Sequence, residues 1–546
     1  MPALEPSSRT PSSKGSDSNE SDISVTERSI NDAHPSSDAD DLLSYHLNFL
    51  QRAPAKDDLD EVVSTPLFTQ PVLKHAEALG YRYNKTTFRQ YALLAGNIDS
   101  LGKKSPEDPR IFYNVTAPSS VFICGSQGSG KSHSLSCLLE SCLIPSKLGK
   151  LPRPLTGIVF HYDTFISDNG GTPCEAAYLS SHPNVNVRVL CAPTNTRTIT
   201  NTYRALPNVK VEQLKLDEGD LNTERMLDLM AVGEGNMPLY MHVVQRILRD
   251  MRMAQQEAGS TFKYTTFQQM IMQSDLTPLQ RAPLQQRLDT LESYMFHEQV
   301  TRKLSLHGTM KSKQTREQAT DWIPKARELI IVDLSCPCVT AEMACSLFNI
   351  CLSLFLEQDS SLGRVVALDE AHKYMGESAE CQTLTNSLLA TIRLQRHLGA
   401  RVIISTQEPT ISPKLLDLCS ITFVHRFTSP DWLQVLKRHL AGISTSSKIA
   451  KKLDGSDEQL EDSVFDGLRG VTVTSENPTL ELFSRIVALK VGEALVFAPS
   501  AIVSLENQKD AYGKSRTALK RLAHDVLRVR VRARLTMDGG RSIMAT

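Results

Sequence analysis

The stretch Val121–Leu143, "VFICGSQGSGKSHSLSCLLESCL", decides the fold. "VFIC" (Val121–Cys124) is a short β-rich apolar run, "GSQGSGKS" follows at once, and "HSLSCLLESCL" carries the apolar spacing of a half-buried helix. The loop fits G-x-x-x-x-G-K followed by Ser or Thr, with Gly125, Gly130, Lys131 and Ser132 at the fixed positions and an extra glycine at Gly128. Glycines let successive backbone N–H groups curl around a phosphate, and the helix N-terminus adds partial positive charge. Gly125, Ser126, Gln127, Gly128, Ser129, Gly130, Lys131 and Ser132 are therefore expected to cradle the phosphates of ATP. Lys131 would reach the β- and γ-phosphates, and the Ser132 hydroxyl would ligand Mg²⁺.

Such a loop needs a second strand ending in an acid, and "GRVVALDEAHKYM" (Gly363–Met375) supplies it. Val365–Leu368 reads as a buried parallel strand that stops at Asp369, the expected Mg²⁺-side carboxylate acting through water. Glu370 is placed to polarise the attacking water, so the pair predicts ATP hydrolysis and not binding alone. An acid pair favoured by the dipole at a helix start is the plainer account.

"TGIVFHYD" (Thr156–Asp163), "VNVRVLCAP" (Val185–Pro193), "RELIIVDLS" (Arg327–Ser335) and "ARVIISTQEP" (Ala400–Pro409) are further apolar runs separated by helical or loop segments. They predict an α/β fold with a parallel sheet and crossover helices. Gln407, at the carboxyl edge of its strand, is predicted to hydrogen-bond the γ-phosphate or its water; a strand-end turn residue is the alternative.

The rest of the chain sets limits. With 546 residues, 40% hydrophobic and 22% charged, it has the balance of an ordinary globular protein. A formal net charge of -1 excludes a generally basic surface but not a local basic channel. The eleven cysteines lack paired CxxC spacing, and "CPC" (Cys336–Cys338) lacks the second pair of a zinc site, so reduced thiols and an intracellular setting, nuclear or cytoplasmic, are expected. No signal pattern and no apolar run near the roughly 18 residues of a membrane span is present.

Residues 1–40, rich in Ser, Asp and Pro, read as a disordered tail, and 41–115 as a helical lead-in with "DLLSYHLNFLQRA" and "TTFRQYALLAGNI" as helices. The nucleotide core spans 116–165 and 326–503, split by a mainly helical insertion at 166–325 that contains one core strand near 185–193. Met and Leu stripes in the insertion read as core packing, with a partner-binding surface as the alternative. Residues 504–546 read as a basic C-terminal helix and strand. "VLRVRVRARLT" (Val526–Thr536) puts Arg528, Arg530, Arg532 and Arg534 on one face, either to grip a phosphate backbone or to keep a strand edge from pairing.

The letters "DEAH" suggest a two-lobed helicase, but no QxxGRxGR-type motif follows Gln407, and about 140 residues are too few for a second full lobe. In "CGSQGSGKS", "ELIIVDLS", "LDEAHKYM", "IRLQRHLGARVIISTQEPTISPKLLDLCSITFVHRF" and "LKVGEALVFAP" the chain resembles the HerA and FtsK superfamily of ring-forming motor ATPases, closest to the HerA branch. It also looks like a group of fungal P-loop proteins that share "IFYNVTAP" and "RARLTMDGGRS".

The resemblance implies a P-loop NTPase with a RecA-like sheet, ATP and Mg²⁺ as cofactors, and a hexameric ring in which a neighbour supplies an arginine to each site. Arg393 and Arg396 in "IRLQRHLG" match the position that supplies it, and Arg426 in "HRF" is a weaker candidate; each could equally be a solvated residue. The family's barrel before the loop is not legible here, and Glu408 stands where the family carries arginine. Two functions are expected: a ring motor that translocates DNA, or a nucleotide-dependent switch acting on a protein partner through its helical insertion.

Overall fold

The structure, a computed structural model, describes residues 42–43, 45–47, 49, 61–101, 108–167, 170–229, 239–296, 319–359, 361–439, 478–509 and 515–539. Residues 42–43, 45–47 and 49 are helical and belong to a separate unit, Met1–Asp57, while Asp58–Thr546 form one compact unit. The Ser-rich tail lies outside the described residues.

Sixteen strands among the described residues make one sheet. They are β1 (Leu67–Thr69), β2 (Tyr91–Asn97), β3 (Arg110–Asn114), β4 (Ser120–Cys124), β5 (Gly149–Lys150), β6 (Thr156–His161), β7 (Asn186–Cys191) and β8 (Val209–Gln213). They continue as β9 (Glu328–Asp333), β10 (Arg364–Leu368), β11 (Ala400–Thr406), β12 (Ile421–Val424), β13 (Glu493–Phe497), β14 (Ile502–Lys509), β15 (Ser515–Arg521) and β16 (Leu527–Val531). The order is β15-β14-β1-β3-β2-β16-β13-β12-β4-β11-β10-β6-β9-β7-β8, with β5 on β2.

From β12 to β8 every pairing is parallel. The middle of that half is buried on both faces: all residues of β4, β6, β9, β10 and β11 are buried, as their unbroken apolar runs require, while the edge strand β8 is not.

The helices among the described residues from Gln70 on are, in chain order, α1 (Gln70–Tyr83), α2 (Lys131–Leu143), α3 (Thr196–Tyr203), α4 (Thr223–Leu229), α5 (Leu239–Ala258), α6 (Tyr264–Met272), α7 (Pro278–Tyr294), α8 (Ala341–Glu357), α9 (Ala379–Arg393), α10 (Gln395–Leu398), α11 (Pro413–Leu418), α12 (Pro430–His439) and α13 (Pro478–Val487). Ser378 and Thr340 cap α9 and α8, their hydroxyls accepting from the Cys381 and Met343 N–H groups. One apolar layer joins α4 to α9 with the sheet face bearing Phe160, Val332 and Leu368; the other buries α2 against Val121, Ile123 and Val159. Met226, Met241 and Met251 of the insertion lie in the first layer, which is the core-packing reading of the Met stripes. The insertion holds two sheet strands, β7 and β8, where one was expected.

Two readings are corrected. The lead-in is not wholly helical: "YALLAGN" is β2, clamped between β3 and β16, with Leu93 opposite Phe112. Tyr91 packs edge-on against Phe68 and Phe112, and that aromatic packing overrides the helix-like spacing. The C-terminal segment contains no helix among the described residues; β14 and β15 pair antiparallel, and β16 lies inside the sheet between β13 and β2.

Candidate nucleotide and hydrolysis site

The parallel registers bring the carboxyl ends of five strands level. Cys124 lies opposite Thr406 and Val424, and Leu368 opposite Ile404 and Phe160. Gly125, Gln407, His425, Asp369 and His161 therefore leave the sheet at one edge, the edge where open α/β sheets bind ligands.

The loop begins at Gly125, whose φ of 151° and close packing both demand glycine: a Cβ there would sit 2.7 Å from His425 Cβ. It ends at Gly130, with φ 110°, where a Cβ would lie 2.8 Å from the Gly492 nitrogen. The Ser126 N–H donates to the Arg426 carbonyl (2.9 Å) and the Gly492 N–H to the Ser129 carbonyl (3.2 Å), so β12 and the turn before β13 shape the loop. His425 is fully buried behind it, between the Ser134 hydroxyl (3.0 Å from Nε2) and the Glu493 carbonyl (2.9 Å from Nδ1). Burial pushes its imidazole down to about 4.

Lys131 opens α2, is 4% exposed, and donates from Nζ to the Ser126 carbonyl at 3.0 Å. Burial pushes its ammonium down, against the opposing pull of the Glu370 and Asp369 carboxylates. Ser132 is half-buried in the same helical turn.

Across the site, Asp369 is buried at the end of β10 and Glu370 follows in the left-handed region at φ 49°. That conformation is uncommon for a residue with a Cβ and turns the glutamate off the strand line. Gln407 Nε2 donates to Glu370 Oε2 at 3.0 Å, and His372 Nδ1 stands 3.5 Å from the same oxygen. The Gln407 side chain thus reaches Glu370, the residue from which hydrolysis was expected.

Asp369 Oδ2 receives the Cys174 thiol at 3.5 Å and lies 3.3 Å from His161 Nδ1, while Oδ1 is buried with no hydrogen-bond partner. Burial works against the Asp369 carboxylate, yet its contacts with His161, Cys174 and Lys373 outweigh it and hold the pKa below its ordinary value. Burial alone would push His161 down, but Cys174, Asp369 and Asp333 raise it well above its ordinary value. Cys174 is itself pushed up to about 12 by burial, so the charge facing the imidazole is that of Asp369. The unpartnered Oδ1 and the Ser132 hydroxyl fit a hydrated Mg²⁺, an oxygen-seeking ion that keeps several waters.

Arg393 and Arg396 are exposed and sit before β11, whose seven residues separate them from Gln407. At about 3.3 Å per residue they lie roughly 20 Å from the loop edge, and their own chain does not bring them to the site. Arg426 does lie there: its backbone holds Ser126 and its side chain is exposed.

The edge reading of the basic segment is corrected: β16 is paired on both sides, by β13 and β2. Its arginines Arg528 and Arg530 pair with Glu493 at 3.0 and 2.9 Å, and past its end Arg532 pairs with Glu140 at 2.7 Å and Arg534 with Glu175 at 2.6 Å. A cavity of about 1000 Å³ lined by Arg188, Lys210, Glu212, Lys325 and Glu328 lies on the β7–β8 flank, with β9, β6, β10 and β11 between it and the loop strand.

Sequence reasoning missed His161, Cys174 and His425. His161 ends an apolar run, a position where a polar residue points to a sheet edge, but nothing local signals the other two.

A glycine loop between a buried parallel strand and a helix, with an acid pair two strands away, defines an α/β P-loop NTPase fold. No protein-family model and no curated protein matches the chain. Among solved structures it is similar to VirB4 of Thermoanaerobacter pseudethanolicus, at 12% identity, covering 81% of this chain and 96% of that one, TM-score 0.40. The bacterial conjugative coupling protein TrwBdeltaN70 is similar at 12% identity, 77% and 93% coverage, TM-score 0.39. The genome packaging NTPase B204 from Sulfolobus turreted icosahedral virus 2, in complex with AMPPCP, is similar at 11% identity, 36% and 68% coverage, TM-score 0.19. No helix among the described residues is long and apolar enough to cross a membrane.

Proposed function

We propose that this chain binds and hydrolyses ATP with Mg²⁺ and works as a HerA-like motor, a hexameric ring that translocates DNA. The observation that carries hydrolysis is the Gln407–Glu370 hydrogen bond of 3.0 Å, which orients a carboxylate whose charge acts on the loop lysine Lys131. Gly125 to Ser132 would hold the phosphates, and Ser132 and Asp369 would hold the metal, which when bound neutralises charge on the β- and γ-phosphates. Lys131 would exchange the Ser126 carbonyl for phosphate oxygens. Glu370 would take the proton of the attacking water while Gln407 fixes the carboxylate.

Among the described residues no arginine pairs with Asp369 or Glu370, which supports a ring whose neighbour supplies one, Arg393 or Arg396 by sequence position. A second reading is favoured by one observation. The four arginines of "VLRVRVRARLT" are ion-paired within the chain and two of them, Arg532 and Arg534, are buried, so half of the feature that offered a phosphate grip is used internally. On that reading the ATPase is a nucleotide-dependent switch that acts on a protein partner through its helical insertion.

ATP turnover by the purified chain, with and without double-stranded DNA at low salt, separates the two. Stimulation by DNA is expected of the motor. Turnover by rings that ignore DNA would leave the switch, and no turnover at all would sink both.

A further inference from the structure

We propose that His161, Cys174 and Asp369 form a three-ligand site for Zn²⁺, and that this ion competes with Mg²⁺ for Asp369. His161 closes β6, Asp369 follows the adjacent strand β10, and Cys174 caps the short turn Glu175–Ser181 beside them. One ligand atom from each of the three buried side chains lies within 4.8 Å of the others.

Two of the three edges have the lengths that a tetrahedral ion sets. Bonds of about 2.0–2.1 Å to nitrogen and oxygen and about 2.3 Å to sulfur give N···O and S···O edges of roughly 3.4 and 3.6 Å. The structure has 3.3 Å from His161 Nδ1 to Asp369 Oδ2 and 3.5 Å from Cys174 Sγ to the same oxygen.

The orientation of the ring is a second observation. Despite the 3.3 Å contact neither His161 nitrogen makes a well-aligned hydrogen bond. Buried polar atoms are rarely left so, and an ion takes up their lone pairs. Imidazole, thiolate and carboxylate together are a zinc donor set, whereas Mg²⁺ takes oxygen ligands. Cys174 is also held from behind: its N–H donates to the Tyr203 hydroxyl oxygen (3.0 Å), and that hydroxyl donates to Asp333 Oδ2 (2.6 Å). Such outer support fixes a ligand's aim. When the ion binds, the Cys174 thiol proton and the proton on the coordinating His161 nitrogen leave to solvent.

Occupancy would draw Asp369 away from Mg²⁺ and lower hydrolysis. That consequence rests on the reading above; the binding site does not.

The test titrates the metal-free full chain with Co²⁺, which reports tetrahedral and thiolate coordination in its absorption. One Co²⁺ per chain is expected, with visible tetrahedral bands and a near-ultraviolet thiolate band, both bleached by added Zn²⁺. Cys174→Ser should remove the thiolate band, His161→Gln should alter the visible bands, and Cys338→Ser, at an exposed cysteine, should leave both intact. A thiolate band that survives Cys174→Ser, or a natively melting chain that binds no Co²⁺, overturns the proposal. In ATP turnover, Cys174→Ser should weaken inhibition by Zn²⁺ roughly tenfold or more relative to its own uninhibited rate. A chain that turns over no ATP still gives the cobalt spectrum, so failure of the hydrolysis reading and failure of the zinc site remain distinct results.

Discussion

At the residue scale the hydrolysis assignment is the sharpest. Glu370→Gln keeps the size and a hydrogen bond to Gln407 but removes the basic oxygen, so turnover should fall by about 10²–10⁴-fold while ATP affinity stays near its starting value. Retained turnover in that variant would remove Glu370 from the mechanism. His425 gives a second residue-scale expectation. Its folded pKa, depressed by burial to about 4 from an ordinary 6.5, means that above 6.5 the group is neutral in both states and costs nothing. Below 6.5 the unfolded chain takes up a proton that the folded chain excludes. Stability should therefore fall by about 1.4 kcal/mol per pH unit down to about pH 4. A melting series should show a shallower acid limb in His425→Gln, and an unchanged limb would assign acid sensitivity elsewhere. Lys131, Asp369 and Glu370 were legible because their chemistry is written in contiguous motifs. His161 and Cys174 were not, because 195 residues separate Cys174 from Asp369 and only the strand registers make them neighbours.

At the element scale, the buried parallel strands were legible as unbroken apolar runs, whereas β2 was read as a helix and β16, read as a strand, was not placed inside the sheet. Their places depend on strands from the far end of the chain: β2 pairs β16 and β1 pairs β14, pairings across more than four hundred residues that no local window contains. The same long-range closure ties the C-terminal strand to the nucleotide loop's helix. Glu140 on α2 is fully buried, pairs with Arg532, and accepts from the Leu535 and Thr536 N–H groups and the Thr536 hydroxyl. Removing one partner of such a pair leaves a buried charge uncompensated, at a cost of about 3–5 kcal/mol. Arg532→Met, just past β16, should therefore lower the denaturation midpoint far more than Arg530→Met, whose arginine is 57% exposed within β16. Equal losses in the two variants would show that β16 contributes by its backbone alone.

At the scale of the whole molecule, the question is how a site whose acid pair meets no arginine among the described residues completes its charge balance. Arg393 and Arg396 end α9 and begin α10 at the amino edge of the sheet, with the length of β11 between them and their own Gln407. In a head-to-tail ring, where one face of a subunit meets a different face of the next, that edge can serve a neighbour's loop. Complementation tests this directly. A Lys131→Ala chain has a dead loop and intact arginines; a chain with Arg393→Ala and Arg396→Ala has the reverse. Each alone should be inactive, but a one-to-one mixture pairs a good loop with a good arginine at about a quarter of the interfaces of a randomly mixed ring, so partial turnover should return. If the double arginine variant alone hydrolyses ATP normally, the assignment moves to Arg426, whose backbone already holds the loop through Ser126. If both variants are dead and mixing restores nothing, subunits do not share sites, and a ring completed by its neighbours is no longer tenable.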